Sequence, residues 1–354
     1  MTDTLEIEIS KTAESRLSQV DMNDLSFAQI YSDHMFVADF ENGEWSNLRI
    51  CPFADLKISP ANATLHYAQS IFEGLKAYKT DEGEIQIFRA DENAKRMMRS
   101  AERMCMPPVP EELFLEAVYQ LVGLDKGWVP SGDGTSLYIR PFQFATDPFI
   151  GVRSSEKYTF MVITAPAGPY YTEPVRVKIE KEYTRAVAGG VGAAKTAGNY
   201  AASLYPAKLA QKQGYHQLIW TDAISHEYIE EAGTMNIMFV IDGKLLTPKT
   251  SDSILAGITR ASAVEIARDW GMEVEERTIS VQEIIKSIEQ GRLQEAFGIG
   301  TAATISPICL INNEGIDYEL PNVDKWEVSK RLAKELEDIK LGRIEDRFGW
   351  MHRV

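Results

Sequence analysis

The stretch "APAGPYYTEP" (165–174) puts three prolines within ten residues, between two segments that read as buried strands. Proline fixes φ and donates no backbone hydrogen bond, so neither a helix nor an interior strand runs through such a stretch. A chain of 354 residues also exceeds what one core ordinarily serves. The expectation is an N-terminal domain over 1–166, a connection at 167–174 and a second domain over 175–354.

Both halves mix strand and helix patterns. "GEIQIFR" (83–89) alternates polar and apolar residues, and "DENAKRMMRSAERM" (91–104) sets Met97, Met98, Ala101 and Met104 at helical spacing behind Asp91 as N-cap. "TSLYIRPFQF" and "KYTFMVITAP" read as buried strands, as do "VRVKIE", "HQLIWTD" and "NIMFVI" beyond the connection. "TRASAVEIARDWG" (259–271) carries Ala263, Val264, Ile266, Ala267 and Trp270 on one helical face. "SVQEIIKSIEQG" has Ser280 and Glu283 at capping-box spacing, and "WEVSKRLAKELEDIKLG" reads as a surface helix. The class is α/β or α+β.

Several functions are excluded or disfavoured. A net charge of −15 opposes nucleic-acid binding, which needs a basic surface. No apolar run approaches a membrane span, and the acidic start "MTDTLEIEISK" is unlike a signal or transit peptide, so the cytoplasm is the default location. Five histidines form no HExxH and no Cys/His cluster, so no metal site is expected. Cys51, Cys105 and Cys309 form no disulfide framework and read as buried thiols.

The segment with chemical content is "GGVGAAKTAGNY" (189–200), in which four glycines surround one charged residue, Lys195. Three readings compete: a flexible linker, a phosphate loop and a lysine held for covalent chemistry. A Walker A loop needs glycine directly before the lysine, where this chain has Ala194. A linker fits poorly because "YAASLYPAKLAQKQGYHQLIWTD" follows at once as a helix, with Pro206 awkward inside it, and then a strand. A lysine linked to pyridoxal phosphate needs a carboxylate for the ring nitrogen, a phenol for O3′, and an arginine with backbone amides for the phosphate.

"AKTAGNY", "EEAGTMNIMFV" and "LAGITR" together resemble the branched-chain amino acid aminotransferases, a fold-type IV family of pyridoxal-phosphate enzymes. The likeness continues through "YSDHMFV" (31–37), "LHYAQSIFEGLKAY" (65–78), "NAKRMMRSA" (93–101), "LYIRP" (137–141) and "FGIGTAATISP" (297–307). It implies a small N-terminal α/β domain, a larger C-terminal domain with a barrel-like sheet, and a homodimer with pyridoxal 5′-phosphate as cofactor.

Carried across position by position, the resemblance makes Lys195 the Schiff-base lysine and proton shuttle, and Tyr200 the donor to O3′. Glu231 faces the ring nitrogen, with Glu230 as a rival that only the alignment of "EAGTMN" sets aside. Arg96 meets the phosphate, together with the turns at Gly257–Ile258–Thr259 and Gly300–Thr301–Ala302, and Arg185 lies near the cofactor. Tyr31, Tyr67, Phe72, Tyr138, Tyr170 and Ala302 match substrate-pocket positions, with Tyr67 suspected of serving a neighbouring subunit. Arg140 matches the residue for the distal carboxylate of glutamate or 2-oxoglutarate.

One departure is visible: where some larger relatives carry a CxxC pair, this chain has Ala303 and Ser306, so thiol redox control at that place is absent. The implied reaction moves the amino group of leucine, isoleucine or valine to 2-oxoglutarate. D-amino acid transaminase or aminodeoxychorismate lyase chemistry on the same fold is the nearest alternative. From other classes, a scaffold protein would have no use for Lys195, Tyr200, Glu231 and Arg96 together, and a P-loop protein would bind nucleotide with magnesium.

Overall fold

The computed structural model describes residues 5–354 apart from Asn23 and 169–172. Tyr170 and the middle of the 167–174 connection therefore lie outside the described residues. The chain forms two compact units, one of Met1–Tyr170 with Ala194–Ala197 and Glu337–Val354, the other of Tyr171–Ala193 with Gly198–Leu336.

The first unit is built on a sheet of nine strands among the described residues. Its order is Glu8–Ile9, Glu44–Pro52, His34–Glu41, Tyr158–Ala167, Ser136–Ala145, Leu75–Lys79, Ile85–Phe88 and Met351–Arg353, with Ser70–Phe72 also pairing to Ser136–Ala145. The spine is the antiparallel pair Ser136–Ala145 and Tyr158–Ala167, in unbroken register from Ser136 opposite Ala167 to Ala145 opposite Tyr158. The helices Ala90–Arg103 and Glu111–Leu124 turn Ala94, Met97, Ala101, Phe114, Val118 and Leu121 into one core with Ile87, Ile139 and Phe160 of the sheet. Each such large apolar side chain contributes about 1.5–3 kcal/mol of burial.

Asp91 is not the N-cap of its helix. Arg89 takes that place in a left-handed conformation, and Asp91 lies in the first turn, where it and Glu92 pair with Lys95. Acidic groups still suit that end, because the helix dipole is positive there. Nor are the thiols buried: Cys105 is exposed just past the helix end at φ 53°, and Cys51 and Cys309 are half-buried.

The helix Val328–Lys340 is a surface helix with one buried face, which carries Ser329, Leu332 and Leu336. Asp338 and Lys340 at its end are buried, and the chain then returns to pair Met351–Arg353 with Ile85–Phe88. The ammonium of Lys340 lies 5.5 Å from the ring of Tyr78 and 4.9 Å from that of Phe88. Burial, with Lys76 close by and Glu337 opposing, lowers its pKa to about 7, and burial lowers Lys76 to about 8.

The second unit also has a nine-stranded sheet among the described residues. Its order is Ile229–Ala232, Gln217–Thr221, Val175–Ile179, Thr304–Asn313, Leu293–Gly300, Asn236–Ile241, Lys244–Pro248 and Val274–Arg277, with Ile316–Glu319 beside Thr304–Asn313. The bridge between Ala232 and Met235 folds the first of these strands back onto Asn236–Ile241, which curls the sheet towards closure. The helix Val281–Glu289 starts as its sequence specifies, with Ser280 Oγ accepting from the Glu283 amide at 3.0 Å. The Glu283 carboxylate turns instead to Arg277. Pro206 sits inside the helix Ala197–Lys212.

The two depressed lysines give a stability prediction. Folded, they release protons near pH 7 to 8, whereas an exposed lysine holds its proton to about 10.4. Between those values the unfolded chain binds more protons, so stability rises with pH. The melting temperature of the wild type should climb from pH 6.5 to 9, and Lys340→Met should flatten that climb. An equal climb in both proteins would show that Lys340 is not the source.

Candidate active site

In the first unit, residues 194–197 are fastened to the edge formed by Ser70–Phe72. The Phe72 amide donates to the Lys195 carbonyl at 3.0 Å, and Thr196 Oγ1 donates to the Ser70 carbonyl at 2.8 Å. The Lys195 amide donates to Ser100 Oγ on the helix Ala90–Arg103, also at 3.0 Å. The main chain of the lysine is thus held on both sides, and its Nζ lies 4.9 Å from the centre of the Phe72 ring.

The residue after Phe72 is Glu73, which is fully buried. Its carboxylate accepts from Arg96 Nε and Nη2, both at 2.7 Å, and from Asn93 Nδ2 at 2.7 Å. Burial alone would raise this carboxyl. Arg96, with help from Lys195 and Asn93, outweighs it and holds the group below the usual carboxylate range. Removing one member of a buried pair of this kind costs about 3–5 kcal/mol, because the other charge is left uncompensated. Arg96 is therefore no solvated helix-face residue: it is 4 % exposed.

Gly74 follows, and a Cβ there would strike the Tyr138 hydroxyl. That hydroxyl accepts from Arg140 Nη2 at 2.7 Å. The Arg140 guanidinium lies 4.6 Å from the Phe72 ring centre and 5.2 Å from that of Tyr138. Its Nε is buried, and among the described residues no acceptor meets it. The structure thus brings Lys195, Phe72, Tyr138 and Arg140 into one group with the Glu73–Arg96 pair. Tyr31 stacks on Phe53 with ring centres 5.0 Å apart, and Tyr67, at the end of the short helix Ala63–Tyr67, is 40 % exposed.

In the second unit, Glu231 and Asn236 occupy the two arms of the tight turn. Glu231 Oε1 accepts from Asn236 Nδ2 and from the Leu255 amide, each at 3.1 Å, and Oε2 pairs with Arg185 Nε at 2.8 Å. Arg185 also donates to the carbonyl of Ser253. Glu230 has poorer company: Ser253 Oγ donates to one oxygen, the other is buried with no partner among the described residues, and burial raises its pKa. The donors and the countercharge, working against the cost of burial, favour an ionised Glu231 over an ionised Glu230.

The helix Ile258–Asp269 begins at Gly257, which supplies no side-chain cap. Its first-turn amides, those of Ile258 and Thr259 included, sit at the positive end of the dipole, the arrangement that binds phosphate. Thr301 and Ala302 lie in the turn between Leu293–Gly300 and Thr304–Asn313, half-buried. Tyr200 falls in the first turn of Ala197–Lys212.

Residues 70–311 match the family Amino-transferase class IV. Branched-chain-amino-acid transaminase 1 of Bacillus subtilis (strain 168) is 50% identical over 339 residues, covering 94% of this chain and 95% of its own. The chain belongs to the class IV aminotransferases, in their branched-chain group. The crystal structure of a branched-chain aminotransferase from Thermoproteus uzoniensis with norvaline superposes with a TM-score of 0.75 at 27% identity, over 90% of this chain and 99% of the other. The branched-chain amino acid aminotransferase from Escherichia coli gives 0.71 at 28%, over 90% and 98%.

Class IV aminotransferases depend on pyridoxal 5′-phosphate. The residues present fit it: the first unit offers an amine beside an aromatic face, and the second an uncapped helix N-terminus and a buried carboxylate held by a backbone amide, an amide side chain and an arginine. Sequence reading of this aminotransferase missed Glu73, Asn93, Ser100 and Asn236. All four lie inside the quoted segments, but spacing alone gives no signal that their side chains bond to site residues.

Gly257 offers a test. A Cβ there would strike Asn236 Oδ1, whose Nδ2 steadies Glu231. Gly257→Ala should loosen pyridoxal phosphate binding about tenfold or more, roughly 1.4 kcal/mol, in an absorbance titration. Unchanged binding would show that the close packing there does not matter to the site.

Proposed function

We propose that this aminotransferase carries the amino group of L-leucine, L-isoleucine or L-valine reversibly to 2-oxoglutarate, giving the branched 2-oxo acid and L-glutamate in a ping-pong cycle. The observation that carries the reading is Arg140, seated on Phe72 and bonded to Tyr138, with a buried Nε that no acceptor among the described residues meets. One site must take an aliphatic side chain in one half-reaction and the distal carboxylate of glutamate in the other. Apolar and aromatic walls with a single fixed cation answer both needs.

Pyridoxal phosphate supplies a cationic ring into which electrons left at the substrate Cα by proton loss can spread. Lys195 Nζ would hold the coenzyme and carry the Cα proton, and its clamped main chain keeps that amine in place. Glu231 would serve the ring nitrogen. Its pairing with Arg185, and its donors Asn236 and Leu255, support an ionised carboxylate there. Arg185 then acts beside the coenzyme through Glu231. Tyr200 serves O3′, and Arg96, Ile258, Thr259 and Thr301 serve the phosphate. Tyr31, Tyr138, Tyr170 and Ala302 line the substrate side.

A homodimer completes the proposal. In the first unit Leu65, Phe149, Ile150 and Val152 are 58%, 44%, 65% and 90% exposed. The bridge between Asn62 and Pro148 sets their two segments side by side. A second copy covering this apolar face would bring Tyr67 to its own or its partner's substrate pocket. Among the described residues no helix is long and apolar enough to cross a membrane, and cytoplasmic residence is part of the proposal.

Leucine with 2-oxoglutarate should yield glutamate in steady-state turnover, while D-alanine should yield none. D-alanine turnover exceeding that of leucine would overturn the assignment. Arg140→Met should lower kcat/KM for glutamate at least about tenfold more than for leucine, a difference of roughly 1.4 kcal/mol in transition-state binding. Equal losses would remove Arg140 from its role.

A further inference from the structure

The tripeptide Phe72–Glu73–Gly74 divides three tasks among three adjacent residues. The amide of Phe72 fixes the Lys195 carbonyl, and Gly74 leaves room for the Tyr138 hydroxyl. Glu73 between them is anchored by its own amide, which donates to the Pro141 carbonyl at 2.7 Å. Its side chain is a fully buried anion on which two parallel N–H bonds of Arg96 converge.

A guanidinium has five N–H donors in a rigid plane. The carboxylate of Glu73 takes Nε–H and one N–H of Nη2, which fixes the plane of the guanidinium. A long side chain held this way loses its rotamer freedom before any anion arrives, so binding that anion costs less ordering. Asn93 secures the arrangement from the helix, donating through Nδ2 to Glu73 Oε2 and to the Gly74 carbonyl at 3.2 Å. The fork geometry also explains why an arginine is needed here. A lysine has one point-like ammonium and could not be held by one group and present a planar edge to another.

We propose that Glu73 is a positioning residue: it locks Arg96 in the orientation that meets the coenzyme's phosphate, and so sets the enzyme's preference for phosphorylated over unphosphorylated coenzyme. The inference rests on the assignment of Arg96 to the phosphate. It concerns Glu73 and, behind it, Asn93, neither of which touches the coenzyme in this account.

The test compares the binding of pyridoxal 5′-phosphate and of pyridoxal to the apoenzyme, by absorbance titration, in wild type, Arg96→Met, Glu73→Gln and Asn93→Ala. Glu73→Gln keeps the shape but replaces one acceptor oxygen with an NH₂ that opposes the arginine donors. It should weaken pyridoxal phosphate binding at least about tenfold, or roughly 1.4 kcal/mol, and leave pyridoxal binding within about twofold. Asn93→Ala should shift the same ratio in the same direction by less. Should Glu73→Gln lack a cooperative melting transition, the Asn93→Ala ratio decides, and an unchanged ratio overturns the proposal. Equal weakening of both ligands by Glu73→Gln means a packing role and overturns it as well. If Arg96→Met itself leaves the ratio unchanged, the assignment of Arg96 fails. If Arg96→Met collapses the ratio and Glu73→Gln does not, only the role of Glu73 fails.

Discussion

The attachment of Lys195 to the sheet edge at Ser70–Phe72 is the constraint on which the rest depends. Residues 194–197 group with the first unit, while the residues on either side group with the second. Three hydrogen bonds explain this: Phe72 amide to Lys195 carbonyl, Lys195 amide to Ser100 Oγ, and Thr196 Oγ1 to the Ser70 carbonyl. A flexible lysine would have to be ordered at each turnover, at a cost of about 2 kcal/mol in side-chain and backbone entropy. Here the fold has already ordered its backbone.

Within each unit the buried charges are arranged as neutralised pairs rather than isolated ions. Glu73 answers Arg96 in the first unit, and Arg185 answers Glu231 in the second. An unpaired ion buried to this degree would shift towards its neutral form. Pairing favours the ionised form of each group and fixes its orientation. Arg140 is the contrasting case, because aromatic rings and one phenol surround it and its Nε has no acceptor among the described residues. That asymmetry suits a residue whose anion arrives with the substrate.

Much of the fold was legible because its signals are local. Apolar runs and helical spacing indicate strands within 135–144, 157–166, 175–180, 216–222 and 236–241 and helices within 259–271 and 280–291, and the structure has an element of that type in each. The Ser280 cap was readable from a three-residue spacing, and the site segments from their likeness to a known family. What escaped depends on contacts between residues distant in sequence. Nothing near Lys340 indicates that the chain's end returns to pair with Ile85–Phe88 and buries that lysine under Tyr78 and Phe88. Nothing local to Arg96 indicates that Glu73, 23 positions earlier, faces it. The choice of Glu231 over Glu230 rested on alignment alone. In the structure it also has a physical basis in the donors that each carboxylate receives.

The central claim is that one amine, on a backbone segment clamped to the first sheet, carries the coenzyme. It is tested most directly by reducing the pyridoxal-phosphate-loaded protein with borohydride, digesting it and locating the pyridoxyl group by mass spectrometry. A single stoichiometric adduct on Lys195, and none in Lys195→Ala, is expected. A stoichiometric adduct on any other lysine of the wild-type protein would contradict it.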